Sequence, residues 1–261
     1  MNTEQIRHLA IKRHDLDADY FQKVYSGNLK SSHAEVFLYG RNMIIEELEI
    51  ALQSLPKNAR ILDVGCGTGH LTKWLKDKDY NVYGLEPSEE MYKYAVNNFP
   101  DIEFTKGVSS SLPYDNNFFD LVIAIEVLRY LDEKDNDLTY KEFHRVLKKG
   151  GSCFVTHVNL FSTDGYYFFY KLNRIKHNIH NKPYNFCNFT TPSRQEKILT
   201  SLGFNKIITI GRMAGVIRIF YKFGNVIGRK FGGFAKLLSN QSYRKGILKF
   251  MAGHLIAIAQ K

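Results

Sequence analysis

From residue 60 onward, short apolar runs alternate with longer stretches in which apolar side chains return every three or four positions. The runs at about 60–65, 81–86, 102–106, 119–125 and 152–158 read as strands, and the periodic stretches between them as helices. Upstream, "HAEVFLYGRNMIIEELEIALQSL" holds an amphipathic pattern through several turns and predicts a long helix. Downstream, "SRQEKILTSLGF" predicts another helix, "NKIITIG" a sixth strand and "HLIAIAQK" a seventh. Strands separated by helices need crossover connections, which give a mostly parallel sheet with helices on both faces, an α/β fold. Three segments fall outside this alternation. Residues 1–32, carrying Tyr20, Phe21 and Tyr25, read as an irregular, partly helical cap, and 159–190 and 211–251 as insertions in a single domain spanning 1–261.

The loop after the first strand carries the densest chemistry. "ARILDVGCGTGHLTKWL" (Ala59–Leu75) sets Gly65, Gly67 and Gly69 between an apolar run and the helical spacing of Leu71, Trp74 and Leu75. Glycine marks a sharp turn or the close approach of a ligand; a turn needs one, and here there are three. Strand, glycine loop and helix in that order aim unpaired N–H groups and a helix N-terminus at the loop, which suits a carboxylate or phosphate. The G-x-G-x-G spacing departs from the dinucleotide fingerprint, and Gly69 is followed by His70 and Leu71 rather than the Lys and Ser/Thr of a Walker loop. In "YNVYGLEPSEEM" the next strand ends on Glu86, 21 residues after Gly65, the spacing at which a carboxylate grips ribose hydroxyls.

With those features the sequence resembles the class I S-adenosylmethionine-dependent methyltransferases. "ILDVGCGTGH" is similar to their first motif and "VYGLEPS" to their second. "FTKGVSSSLPYDNNFFDLVIAIEVLRYL" is similar to their adenine loop and fourth strand, and "YKEFHRVLKKGGSCFVTHVN" to the helix and strand that follow. The resemblance covers about a hundred residues in order. It implies a Rossmann-like, seven-stranded sheet whose last strand is antiparallel, lid insertions at 159–190 and 211–251, and S-adenosyl-L-methionine as cofactor. By position it places the cofactor against Asp63, Gly65, Cys66, Gly67, Gly69, Glu86, Pro87, Val108, Ser109, Leu112, Ile125 and Glu126. Asp63 braces the loop and reaches the amino group, Glu86 holds the ribose, Ser109 and Leu112 flank the adenine, and Ile125 and Glu126 lie near the transferring methyl. Val108 stands where many relatives carry an acidic residue for the adenine amine, so that amine falls to backbone or a serine hydroxyl.

Composition changes the picture in one respect. Hydrophobic residues at 44% and charged residues at 24% are those of an ordinary soluble protein, with no apolar run of membrane-span length and no signal-peptide core in "MNTEQIRHLAIKRH". Cys66, Cys153 and Cys187 form neither a CxxC pair nor a disulfide framework, so no metal is expected and a cytoplasmic setting is. The net charge of +10 is unevenly spread: residues 1–164 hold 19 Lys/Arg against 25 Asp/Glu, and residues 165–261 hold 17 against one, Glu196.

The acceptor is narrowed by exclusion. No Asn-Pro-Pro-Tyr follows the fourth strand, where Ile125–Leu128 stand, and no Pro-Cys occurs, which removes most weight from amide or adenine N-methylation and from carbon-5 pyrimidine methylation. A hydroxyl acceptor needs a base, and His157 at the end of the fifth strand, with Tyr130 in the loop after the fourth, are the candidates. Between Met213 and Leu238, apolar residues and Arg218, Lys222, Arg229 and Lys236 occupy different helical faces, with glycines that split the run. This is either a lid helix with solvated lysines or a peripheral contact with an anionic membrane through 213–249. Three functions follow: methyl transfer, O-methylation first, to a small or lipid-linked acceptor lined by Tyr166, Tyr167, Phe168, Phe169 and Tyr170; an RNA methyltransferase using the basic last third; or a non-catalytic cofactor-binding protein.

Overall fold

The computed structural model describes residues 1–29, 31–180, 184–214, 217–233 and 246–261. The strands are β1 (Arg60–Val64), β2 (Asn81–Glu86), β3 (Glu103–Lys106), β4 (Phe119–Ala124), β5 (Leu147–Asn159), β6 (Phe189–Thr190), β7 (Asn205–Ala214) and β8 (Ala252–Gln260). They form one open sheet in the order β3-β2-β1-β4-β5-β8-β7, with the two-residue β6 beside β5. The pairings β3-β2-β1-β4-β5 are parallel, and β8 runs antiparallel between β5 and β7. The expected sheet is thus present, enlarged by β6.

Side chains alternate across each strand, and that alternation sorts the core into two layers. Leu62, Val64, Val122, Ala124, Cys153 and Val155 face one side, with Tyr140, Phe143 and Val146 of α5 (Glu133–Val146) and Leu199 of α7 (Pro192–Ser201). Ile61, Leu121, Ile123 and Phe154 face the other, with Ile44, Leu48 and Leu52 of α2 (Ser32–Leu52) and Leu71 and Leu75 of α3 (His70–Lys76). Strand order reverses direction between β1 and β4, and the loops leaving their C-terminal ends diverge there to leave a crevice.

The N-terminal segment departs from the expected irregular cap. Thr3–Tyr25 is one continuous helix, α1, because Asn2 and Gln5 form a reciprocal capping box. Its polar side chains tie it across the crevice: Arg7 pairs with Asp135 of α5 at 2.6 Å, and Asp15 accepts from the Ser88 hydroxyl at 2.6 Å. Ser88 also caps α4 (Glu89–Asn98). The insertion after β5 contains α6 (Tyr166–Ile179), and the one after β7 contains α8 (Ile217–Lys222) and a helical run at 225–233. Gly224, with φ +115°, separates the last two, a left-handed turn that glycine permits. Val216, Phe234, Lys236 and Leu238 of the expected amphipathic stretch lie outside the described residues.

Candidate active site

A cavity of about 1040 Å³ occupies the crevice, roofed by α1 and α2 and walled by α6, α8 and the loops after β1, β2 and β4. Asp63, Gly65, Cys66, Gly67, Glu86, Pro87, Val108, Ser109, Ile125, Glu126 and Tyr130 all line it. Two short loops and three strand tips therefore bring together residues drawn from nearly seventy positions of sequence.

The glycine loop is built differently from the expectation of free amides. The N–H groups of Gly65 and Cys66 both donate to the Leu85 carbonyl, at 2.7 and 3.1 Å, and that of Gly67 donates to Glu86 Oε2 at 2.8 Å. The loop is folded back onto the tip of β2, so these donors are spent on protein. Gly65 has φ +67°, and a Cβ there would stand 2.4 Å from Val127 Cγ2. Gly69 is the N-cap of α3, and a Cβ there would meet Phe99, Phe104 and Ala95; it does not line the cavity. Only Gly67 is open, with Met91 Sδ alone at 3.7 Å. Of the three glycines, Gly69 answers to packing, Gly67 to the cavity, and Gly65, which lines the cavity beside Val127, to both.

Two buried carboxylates give this end its electrostatics. Glu86 accepts backbone N–H bonds from Gly67 and Ser88 on separate oxygens, at 2.8 and 2.9 Å, and forms no ion pair among the described residues. Burial outweighs those bonds and pushes its carboxyl up to about 7. Asp63 accepts from the Thr72 hydroxyl at 2.8 Å, and burial pushes it up to about 6, although the charge of Arg41 reaches it. A buried acid raised in this way lacks a donor or a cation. A ligand carrying a vicinal diol and an ammonium supplies both, so the residues present fit S-adenosylmethionine. Ser109, bonded to Thr139 at 2.8 Å, lines the cavity together with Val108 and Ser110. Leu112 departs from its expected place: it does not line the cavity, because its side chain is packed in the core with Phe119 and Phe143.

Beyond Glu126 the cavity becomes a charged network that the sequence reading did not assemble. Glu126 sits at the tip of β4 with φ +61°, a left-handed backbone that costs on the order of 1–3 kcal/mol in a non-glycine residue. Its N–H donates to Thr156 Oγ1 at 2.8 Å, which holds that turn. One carboxylate oxygen accepts from Arg129 at 2.5 Å, and the other stands 3.3 Å from Nδ1 of His254. Burial opposes its charge, yet the Arg129 guanidinium and His254 hold the Glu126 carboxyl well below the usual carboxylate range. Arg129 also donates to the Tyr166 hydroxyl at 3.0 Å. On its far side, His254 Nε2 is 3.4 Å from Arg218, which itself pairs with Asp164. Arg218 thus faces Nε2 of the imidazole, and Glu126 faces its Nδ1.

The two proposed catalytic residues separate. Tyr130 lines the cavity edge-on to the ring of His14, 4.7 Å between centroids, and burial pushes its phenol up to about 12, so it stays protonated. His157 does not line the cavity. It points to the α5 and α7 side of the sheet, where its Nε2 is hydrogen-bonded with the Tyr140 hydroxyl at 2.8 Å while Gln195 donates to the Tyr140 oxygen. Burial pushes His157 down to about 4, which keeps it neutral. His254 takes its place in the cavity. The pattern "HLIAIAQK" put a histidine at the start of the last strand, but nothing in it pointed to Glu126.

Residues 62–155 match a family model described as a methyltransferase domain. The chain is 36% identical over 100 residues to a demethylmenaquinone methyltransferase of Chlorobaculum tepidum, a stretch covering 38% of this chain and 40% of that protein. It thus spans less than half the length of the curated relatives it matches. Among solved structures, a putative methyltransferase of Haloferax volcanii, in complex with the Trm112 activator, aligns over 95% of this chain and 96% of that one, with a TM-score of 0.61 and 17% identity. A Haemonchus contortus phosphoethanolamine N-methyltransferase bound to S-adenosylhomocysteine aligns over 83% and 52%, with a TM-score of 0.58 and 16% identity.

Proposed function

Because residues 62–155 of this chain form a methyltransferase domain of the class I, S-adenosylmethionine-dependent family, we propose that the whole chain transfers a methyl group to a small, largely apolar acceptor bearing a ring hydroxyl. The observation that carries the reading is the pair of buried carboxylates, Asp63 and Glu86, raised by burial at the edge of a cavity that continues past them to a histidine. Glu86 binds the ribose hydroxyls with the lone pairs its backbone bonds leave free. Asp63 receives the ammonium on the oxygen that Thr72 does not occupy. Val108 and Ser109 border the base.

Bound S-adenosylmethionine supplies an electrophilic methyl carbon on a sulfonium whose leaving group is good. The protein's share is alignment, exclusion of water and management of one proton. His254 takes the acceptor's hydroxyl proton at Nε2, in the position Arg218 now faces, and Glu126 stabilises the imidazolium through Nδ1–H. Arg129 fixes Glu126, and Tyr130 stays a neutral donor. The deprotonated oxygen accepts the methyl directly, which is O-methylation. The same loss of a proton makes the adjacent ring carbon nucleophilic, so one base serves either outcome on a quinol-type ring. The name of the Chlorobaculum relative, a demethylmenaquinone methyltransferase, supports a quinone-type ring.

The test is turnover with S-adenosylmethionine and 1,4-naphthohydroquinone as probe, read by mass spectrometry for S-adenosylhomocysteine and a product one methylene heavier. Turnover that His254→Asn lowers at least tenfold, with S-adenosylhomocysteine binding unchanged, supports the assignment. Equal turnover in both proteins refutes it.

A further inference from the structure

Most of the large apolar side chains exposed among the described residues lie on two segments. The first is α6, in which no residue is buried. Phe168, Leu172, Ile175 and Ile179 recur at steps of four, three and four and so form one stripe, with exposures of 62%, 48%, 56% and 74%. The second runs from α8 into the helical run at 225–233 and exposes Phe223 at 70%, Val226 at 74%, and Ile227 and Phe231. Soluble proteins scatter single exposed apolar residues; two stripes of this size mark a surface that is covered in use.

The stripes share an origin at the active site. Tyr166 and Phe169 of α6 and Ile219 and Lys222 of α8 line the cavity, and the Arg218–Asp164 ion pair joins the base of one arm to the approach to the other. Their charge is of one sign. Lys171, Arg174, Lys176 and Lys230 make no carboxylate ion pair among the described residues, and Glu196 is the single acid in 165–261. Apolar side chains at the tips of two short helices with unpaired cations beside them complement an anionic lipid surface: the side chains enter the acyl boundary while the lysines meet headgroups. No described helix is long and apolar enough to cross a membrane, so contact is from one side.

We propose that α6 and the segment 217–231 are the two arms of a docking surface for an anionic bilayer, set around the mouth of the cavity. That the bilayer also delivers the acceptor rests on the functional reading above; the docking does not. The expectation that Phe168 lines the pocket is replaced here by a place on the outer stripe.

Flotation of the full chain with phosphatidylglycerol-containing vesicles, against phosphatidylcholine alone, tests this. The chain floats with anionic vesicles, and less so as salt rises. Phe168→Ser with Ile175→Ser, and separately Phe223→Ser with Val226→Ser, each lower the partition coefficient by about tenfold or more, since each pair withdraws two partly inserted side chains. All four positions are outside the cavity, and S-adenosylhomocysteine titration of the same variants gives wild-type affinity. Absence of flotation, equal flotation on both lipids, or flotation that neither pair alters overturns the proposal. So does a dimer by light scattering that the same pairs convert to monomer, which makes a second copy the occupant. Failure to bind the nucleoside bears on the functional reading alone.

Discussion

Lowering the pH through neutrality should loosen the nucleoside from this protein, and the two carboxylates at the glycine loop set the size of the effect. Burial raises Glu86 to about 7 and Asp63 to about 6, so the ligand-free cavity takes up protons as pH falls through those values. A diol and an ammonium bind the ionised forms, and the complex therefore releases protons. Between about pH 8 and about pH 6, a group titrating near 7 loses about tenfold in competent population and one near 6 about twofold, together about 1.8 kcal/mol. Calorimetric titration of S-adenosylhomocysteine at those two pH values should show about twentyfold weakening. At about pH 7, buffers of different ionisation enthalpy should report roughly half a proton released. Glu86→Gln should weaken binding and leave only the twofold step. An affinity that does not change with pH, or a Glu86→Gln variant that keeps the full slope, refutes the reasoning. The linked effect on folding has the opposite sense to ordinary acid denaturation. Acids raised on folding favour the folded state below the usual carboxylate range, and that contribution is lost as pH rises through about 6 and 7. The ligand-free protein should therefore melt higher at about pH 6 than at about pH 8, and bound nucleoside should narrow the difference.

Other positions give sharper local tests. Gly65→Ala places a Cβ 2.4 Å from Val127 at a left-handed φ and should cost roughly 2 kcal/mol or more in urea unfolding; Val127→Ala in addition should recover only the contact portion. Tyr140→Phe removes the hydroxyl shared by His157 and Gln195 and should cost about 1–3 kcal/mol of stability while nucleoside affinity holds; a native melting curve with lost affinity would return His157 to the site. Glu126→Gln keeps the shape of its turn but removes the charge beside His254 and Arg129, and should cut probe turnover by about tenfold to a hundredfold with little change in nucleoside affinity. Unchanged turnover would show that the histidine acts without it.

The fold, and the placing of Glu86 and the glycine loop at neighbouring strand ends, were legible in the chain because they depend on local pattern. The short apolar runs of β1, β4 and β5, the cap at Ser88 and the strand-end position of Glu86 are each written within a few residues. Even there, the purpose of the glycines was not. Gly65 and Gly69 are required by Val127 and by Phe99, Phe104 and Ala95, neighbours that only the packed structure supplies, and the loop amides are used up on Leu85 and Glu86. The continuous α1 was missed because its polar faces are satisfied by distant partners, Asp135 and Ser88, rather than by its own pattern.

On the acceptor side the balance reverses. Sequence placed a histidine at the end of a strand, and the choice of His157 followed from that alone. Which face of the sheet a strand-end side chain takes is set by register: β5 pairs His157 with Leu255 and sends the imidazole toward Tyr140, whereas β8 delivers His254 to Glu126. An ion network joining β4, β8, α6 and α8 has no signature along the chain, since its members meet only after an antiparallel strand slots between β5 and β7. Local pattern thus determined the sheet, its helices and the strand-end place of Glu86, and tertiary pairing decided which of the two strand histidines, His157 and His254, faces the cavity, because a one-residue change of register reverses the side to which every side chain points.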